Sequence, residues 1–196
     1  LGGDVHIKAR RMAGPAALTS DPPRVLLSPQ GLRSEDRNPG GIQIAEGTSI
    51  CRIGGKWVLV YSVGDFDDAN YKIGVAFSDS LVPGPGRMYR KVLVPDRENI
   101  WGNVGRQLEV KYLLQSQTPR WPNYCGYWVN GPGIGNIVRL GDGRHWLIFH
   151  GRRAGVTRLG GAGRYLWRVP VEVNVASDRP VSEWVRPLLP DAGVAG

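Results

Sequence analysis

The stretch "IQIAEGTSICRI" (42–53) sets one carboxylate, Glu46, in an apolar and small-residue run directly before a glycine. A strand that only buries its neighbours needs no acid there. Flanked by Ile44, Ala45 and Gly47, the carboxyl has apolar company, and partial burial raises the pKa of a carboxyl. An acid that keeps its proton near neutral pH can donate it in a reaction, as a general acid does. The competing reading is a salt-bridged glutamate at a strand end. Cys51 and Cys125 show no CxxC pair and no metal-ligand spacing, so one disulfide and two free thiols both stay open.

The elements that must position Glu46 read as strands. No window of a dozen residues keeps a helical apolar period without glycine or proline interrupting it. "KWVLVYSV" (56–63) is β-branched and aromatic, and "YKIGVAFS" (71–78) alternates, with Ile73, Val75 and Phe77 on one face. "GNIVRL" (135–140), "HWLIFHG" (145–151) and "YLWRVPVEV" (165–173) follow, separated by turns such as "GG" (54–55), "GDFDDAN" (64–70) and "GDG" (141–143). The 28 glycines and 15 prolines fit many turns between short elements. The pattern predicts an all-β protein.

An internal repeat sharpens this. "SICRIGGKWVLVYS" (49–62) matches "NIVRLGDGRHWLIFHG" (136–151), each reading as a β-hairpin. A third strand follows each copy, "YKIGVAFS" after the first and "RYLWRVPVEV" after the second. Repeated units of this kind are the signature of β-propeller blades, small antiparallel sheets set around an axis. The excess between the copies falls in 97–130, read as a fourth strand, "LEVKYLL", plus a long loop rich in tryptophan and tyrosine.

Composition excludes little. Of 25 basic residues all but Lys8, Lys56, Lys72, Lys91 and Lys111 are arginine, and the net charge is +8. The arginines are scattered rather than clustered, so a nucleic-acid partner is not expected. No apolar run approaches the roughly 18 residues of a membrane span, so no membrane partner is expected either. No targeting segment is visible, and localisation stays open between secreted and cytoplasmic.

"EGTSICRIGGKWVLVYSVG" resembles the "E-G-P … G-x-Y-Y-L-x-Y-S" segment of glycoside hydrolase family 43 and its relatives. "YKIGVAFSDSLVPGPGRMYRKVL", "GPGIGNIVRLGDGRHWLIFHGRR" and "GRYLWRVPVEV" are similar to its next three segments, in order, over roughly residues 40–175. The resemblance implies a five-bladed β-propeller and inverting hydrolysis of arabinose- or xylose-containing glycosides. It divides the single domain 1–196 into the end of a second blade and a connector (1–40), a blade with Glu46 (41–96), a strand plus aromatic loop insertion (97–130), and a following blade with closing strands (131–190).

Inversion needs two carboxyl groups roughly 6.5–9.5 Å apart, one protonated and one ionised. The resemblance makes Glu46 the proton donor. It implies that Arg164 and His150 contact substrate. By residue type, Trp101, Trp121 and Trp128 are candidates to stack on sugar faces as a rim platform, packing of the long loop being the alternative. Its aspartate base and a second, pKa-tuning aspartate should both precede Glu46. Of Asp4, Asp21 and Asp36, none sits in a matching motif. The expectation is therefore a chain of about three blades, inactive alone, whose partner is the missing N-terminal blades or a second copy. Where the resemblance has a histidine near the propeller axis, this sequence has Ile134, which puts the axial calcium of some relatives in doubt; no metal ligands or other cofactor are expected. The alternative is a carbohydrate-binding propeller without catalysis.

Overall fold

The computed structural model describes residues 5–29, 43–95, 108–116, 124–156, 163–176, 178 and 180–189. Strand β1 (Ile7–Ala9) pairs with β4 (Arg24–Leu27), and β2 (Met12–Gly14) with β3 (Ala17–Leu18). The first large sheet holds β5 (Ala45–Ile53), β6 (Lys56–Val63), β7 (Lys72–Ser78) and β8 (Arg90–Lys91). β9 (Leu93–Pro95) pairs with β10 (Leu108–Val110), and β11 (Tyr112–Leu114) completes the first sheet, whose order is β11-β7-β6-β5. The second large sheet runs β12 (Val129–Arg139), β13 (His145–Arg153), β14 (Tyr165–Val173) and β15 (Val185–Pro187), in that order. All these pairings are antiparallel.

The chain is thus all-β, and the repeat in its sequence is a repeat of blades. Each hairpin closes on glycine in the left-handed region, Gly54 and Gly55 (φ +56° and +80°) in the first and Gly143 (φ +80°) in the second. Two successive positive φ values, as at Gly54 and Gly55, are what a type I′ two-residue hairpin turn demands. Each innermost strand also loses register at the same point. β5 slips between Glu46 and Ser49, and β12 slips on either side of Gly133. Left-handed residues mark these slips, Gly47 in β5 and Gly131 and Ile134 in β12, and Gly47 and Ile134 are separated by 134 − 47 = 87 positions, the same as Arg52 and Arg139 of the repeat.

The blades pack face to face. Val58 and Val60 of β6 and Ile73, Val75 and Phe77 of β7 share one buried cluster with Leu147 and Phe149 of β13 and Val169 and Val171 of β14. Gly135 lets the inner strand approach closely, because a Cβ there would stand 3.0–3.1 Å from Leu147, Ile73 and Val60. Ser49 Oγ also donates to the Gly135 carbonyl at 2.9 Å. The expected fourth strand "LEVKYLL" is split at Lys111 into β10 and β11. Lys111 donates its N–H to the Val92 carbonyl and its Nζ to the Ser182 carbonyl, so it bridges elements instead of continuing one strand.

Candidate active site

Glu46 lies on the bulged start of β5, half-buried, opposite Ser62 of β6. The Tyr71 hydroxyl donates to Glu46 Oε1 at 2.8 Å. Tyr71 and Ser62 are both wholly buried, at 0% exposure, so this side of the carboxylate is closed to water. Ser62 Oγ accepts the Ile134 N–H at 2.7 Å and is hydrogen-bonded to Tyr71. Since the single phenolic proton goes to Glu46, Ser62 must be the donor to Tyr71. Burial, and then the hydrogen bond and charge of Glu46, push the Tyr71 phenol well above its ordinary range. It therefore stays a donor at any working pH.

The next blade carries the counterparts. Strand register sets Gly133 opposite His150 as it sets Glu46 opposite Ser62. Arg164 leads into β14 as Tyr71 leads into β7. Arg164 donates Nε–H to His150 Nδ1, one Nη to the Phe66 carbonyl at 2.6 Å, and the other to the carbonyls of Gly131 and His150. Its guanidinium carbon also stands 5.3 Å from the centre of the Tyr71 ring. Burial, and then Arg152, lower the Arg164 pKa to about 10, which leaves it charged. Burial and the charges of Arg164 and Arg152 push His150 down to about 4. His150 is then neutral near pH 7, and because Nδ1 accepts from Arg164, its proton sits on Nε2.

Arg152 completes the frame. Its side chain is buried; it donates to the Phe66 carbonyl at 3.1 Å and to Asp67 at 2.9 Å. Two arginines of one blade thus grip the 64–70 loop of the other, just before Tyr71.

The structure brings Glu46, His150 and Arg164 into one cluster, with Arg164 mostly committed to protein acceptors. Trp128 stands at the edge of the shared core, its ring 6.2 Å from Phe149 and 5.6 Å from Trp167. Trp101 and Trp121 lie outside the described residues. Cys51 and Cys125 are free thiols. Ile134 stands half-exposed against Gly47, whose missing Cβ would meet Ile134 Cγ1 at 2.8 Å. A hydrocarbon cannot ligate a cation, so the residues here do not fit an axial calcium at that position. Sequence reasoning passed over Tyr71, Ser62 and Arg152. Extending the repeat one strand further sets Tyr71 against Arg164, and that was the available signal.

No protein-family model matches the sequence, and no curated protein matches it. Solved structures do match. A thermostable family-43 glycoside hydrolase aligns at a TM-score of 0.61 with 17% identity, over 94% of this chain and 47% of that one. A xylan β-1,4-xylosidase from Bacillus halodurans C-125 aligns at 0.57 with 16% identity, over 91% and 26%. An exo-1,5-α-L-arabinanase from a bovine ruminal metagenomic library aligns at 0.55 with 18% identity, over 94% and 48%. The chain spans about half the length of these structures or less. At such identities the likeness is one of fold, the β-propeller of family-43 glycoside hydrolases.

Proposed function

We propose that this chain supplies the proton-donor blades of a family-43-type inverting glycoside hydrolase, acting on arabinose- or xylose-containing saccharides, with Glu46 as general acid. The observation that carries the reading is the placement of Glu46: a half-buried carboxyl on a bulge of an innermost blade strand, one oxygen held by a buried tyrosine. With Oε1 so engaged, Oε2 is the oxygen that gives its proton to the leaving glycosidic oxygen. His150 Nε2–H is suited to donate to a sugar hydroxyl, and Arg164 to support the same subsite. Trp101 and Trp128 are the aromatic residues suited to stack on a sugar face.

Inversion also needs a base. The loop aspartates are each engaged with the protein. Asp67 pairs with Arg152, Asp65 accepts the Asp67 N–H at 3.0 Å, and Asp68 accepts the Ala69 N–H at 2.5 Å. The resemblance assigns the base to an aspartate of another blade. A second reading, sugar binding without hydrolysis, is favoured by Ile134, which puts a hydrocarbon where the resemblance has a histidine.

The test uses the product of the complete gene and two series of arabinosides and xylosides. Glu46→Gln is expected to slow substrates with poorly leaving aglycones by roughly 10²–10⁴-fold. Dinitrophenyl glycosides, whose leaving group needs no proton, should lose far less. An unchanged rate on the poor leaving groups rejects Glu46 as the acid; wild-type binding without turnover selects the second reading.

A further inference from the structure

We infer that Tyr71 is a positioning residue for Glu46, built into the seam between the two blades, which holds the carboxyl by Oε1 and aims Oε2 at the leaving group. The inference rests on the reading of Glu46 as the acid, and it adds a residue that the resemblance does not assign.

Three features on the seam support it. The hydroxyl is fixed from behind: Ile134 N–H reaches Ser62 Oγ at 2.7 Å, Ser62 reaches Tyr71, and Tyr71 reaches Glu46 at 2.8 Å. In this series Tyr71 gives its one proton to Glu46 and takes one from Ser62. The ring is fixed from the side. Gly133 is the counterpart of Glu46 in the next blade, and a Cβ at Gly133 would overlap the Tyr71 ring. That blade leaves out a side chain at the position of the acid, and the tyrosine occupies the space. The Arg164 guanidinium also lies over the ring, 5.3 Å from its centre. Finally, the backbone is fixed: Tyr71 follows the loop gripped by Arg152 and Arg164 at Phe66 and Asp67. A wholly buried tyrosine so constrained has few orientations, and the group it constrains is the carboxyl.

Tyr71→Phe in the complete gene product removes the hydroxyl and keeps the ring. We expect kcat on poorly leaving aglycones to fall about 100-fold, the scale of a misplaced catalytic group, with KM nearly unchanged. Dinitrophenyl glycosides should be nearly unaffected. In a Glu46→Gln background the same change should cost nothing further, because the tyrosine acts only through the acid. Ser62→Ala, which releases the hydroxyl from behind, should give the same leaving-group signature at about 10-fold. Equal losses on both substrate series, or losses that add in the double variant, overturn the inference. If Glu46→Gln cripples the enzyme and neither Tyr71→Phe nor Ser62→Ala does, the inference falls and the reading of Glu46 stands. If Glu46→Gln is itself silent, both fall.

Discussion

Ser62 and His150 occupy the same place on successive blades, and the difference between them sets how the site answers to pH. Ser62 passes a hydrogen bond toward the acid; His150 accepts one from Arg164 and sits between two guanidinium groups. Its folded pKa of about 4 lies below the ordinary 6.5, so the unfolded chain binds the proton more readily across that window. The stability held by neutral His150 is complete above about 6.5 and is lost as pH falls toward 4. Thermal midpoints measured from pH 7 to 4 should therefore drop more steeply for the wild type than for His150→Gln. Parallel slopes would show that His150 protonates as easily in the fold as out of it. Glu46 was legible because an acid between Ala45 and Gly47 breaks the pattern of its strand. Tyr71 was not, because an aromatic residue leading a strand looks like core until its hydroxyl is found on a carboxylate. In the sequence, Ile134 departs from the resemblance in its side chain only. Its φ of +48° is a feature of the backbone that sequence does not announce, and a β-branched residue there is strained.

At the scale of elements, the period-2 pattern and paired glycines made the hairpins readable, whereas the bulges and the split at Lys111 were not. A bulge costs one extra residue and leaves the apolar alternation intact on either side, so the pattern hides it. The same holds for the loop "GDFDDAN", which reads as a polar turn. Its shape comes from residues about 85 positions away, since Arg152 bonds both the Phe66 carbonyl and Asp67. Arg152 is 6% exposed in its side chain and Asp67 21%, so removing the cation strands a mostly buried carboxylate. Arg152→Ala should cost about 3–5 kcal/mol. In hydrogen exchange the loss should appear first in 64–71, ahead of β6 and β7. Uniform loss across both large sheets, with no early opening of the loop, would mean that Arg152 supports the core rather than the loop.

At the scale of the molecule, β6 and β7 of the first large sheet are buried on both faces, whereas β13 of the second is buried mainly on one. Val58 and Val60 of β6 point into the cluster shared with the second sheet; Leu59 and Tyr61 point into another, with Ile7, Leu26 and Leu27. That double burial is why "WVLVY" reads as a continuous apolar run, as strands covered on both sides do. β13 instead alternates, with Leu147 and Phe149 buried and Trp146, Ile148 and His150 only half-buried. The far face of its neighbour β14 leaves Leu166 79% exposed. The blades are therefore joined through one core, and Glu46, Tyr71, Arg152 and Arg164 stand on the seam of that core. It follows that the two sheets should open together. Leu147 is fully buried, and Leu147→Ala should cost about 2–5 kcal/mol by leaving a cavity among residues of both sheets. Hydrogen exchange should then weaken equally in β6–β7 and β13–β14. Retained protection in β6–β7 with protection lost in β13–β14 would show two blades that unfold separately, and a seam too weak to hold Tyr71 against Glu46 by itself.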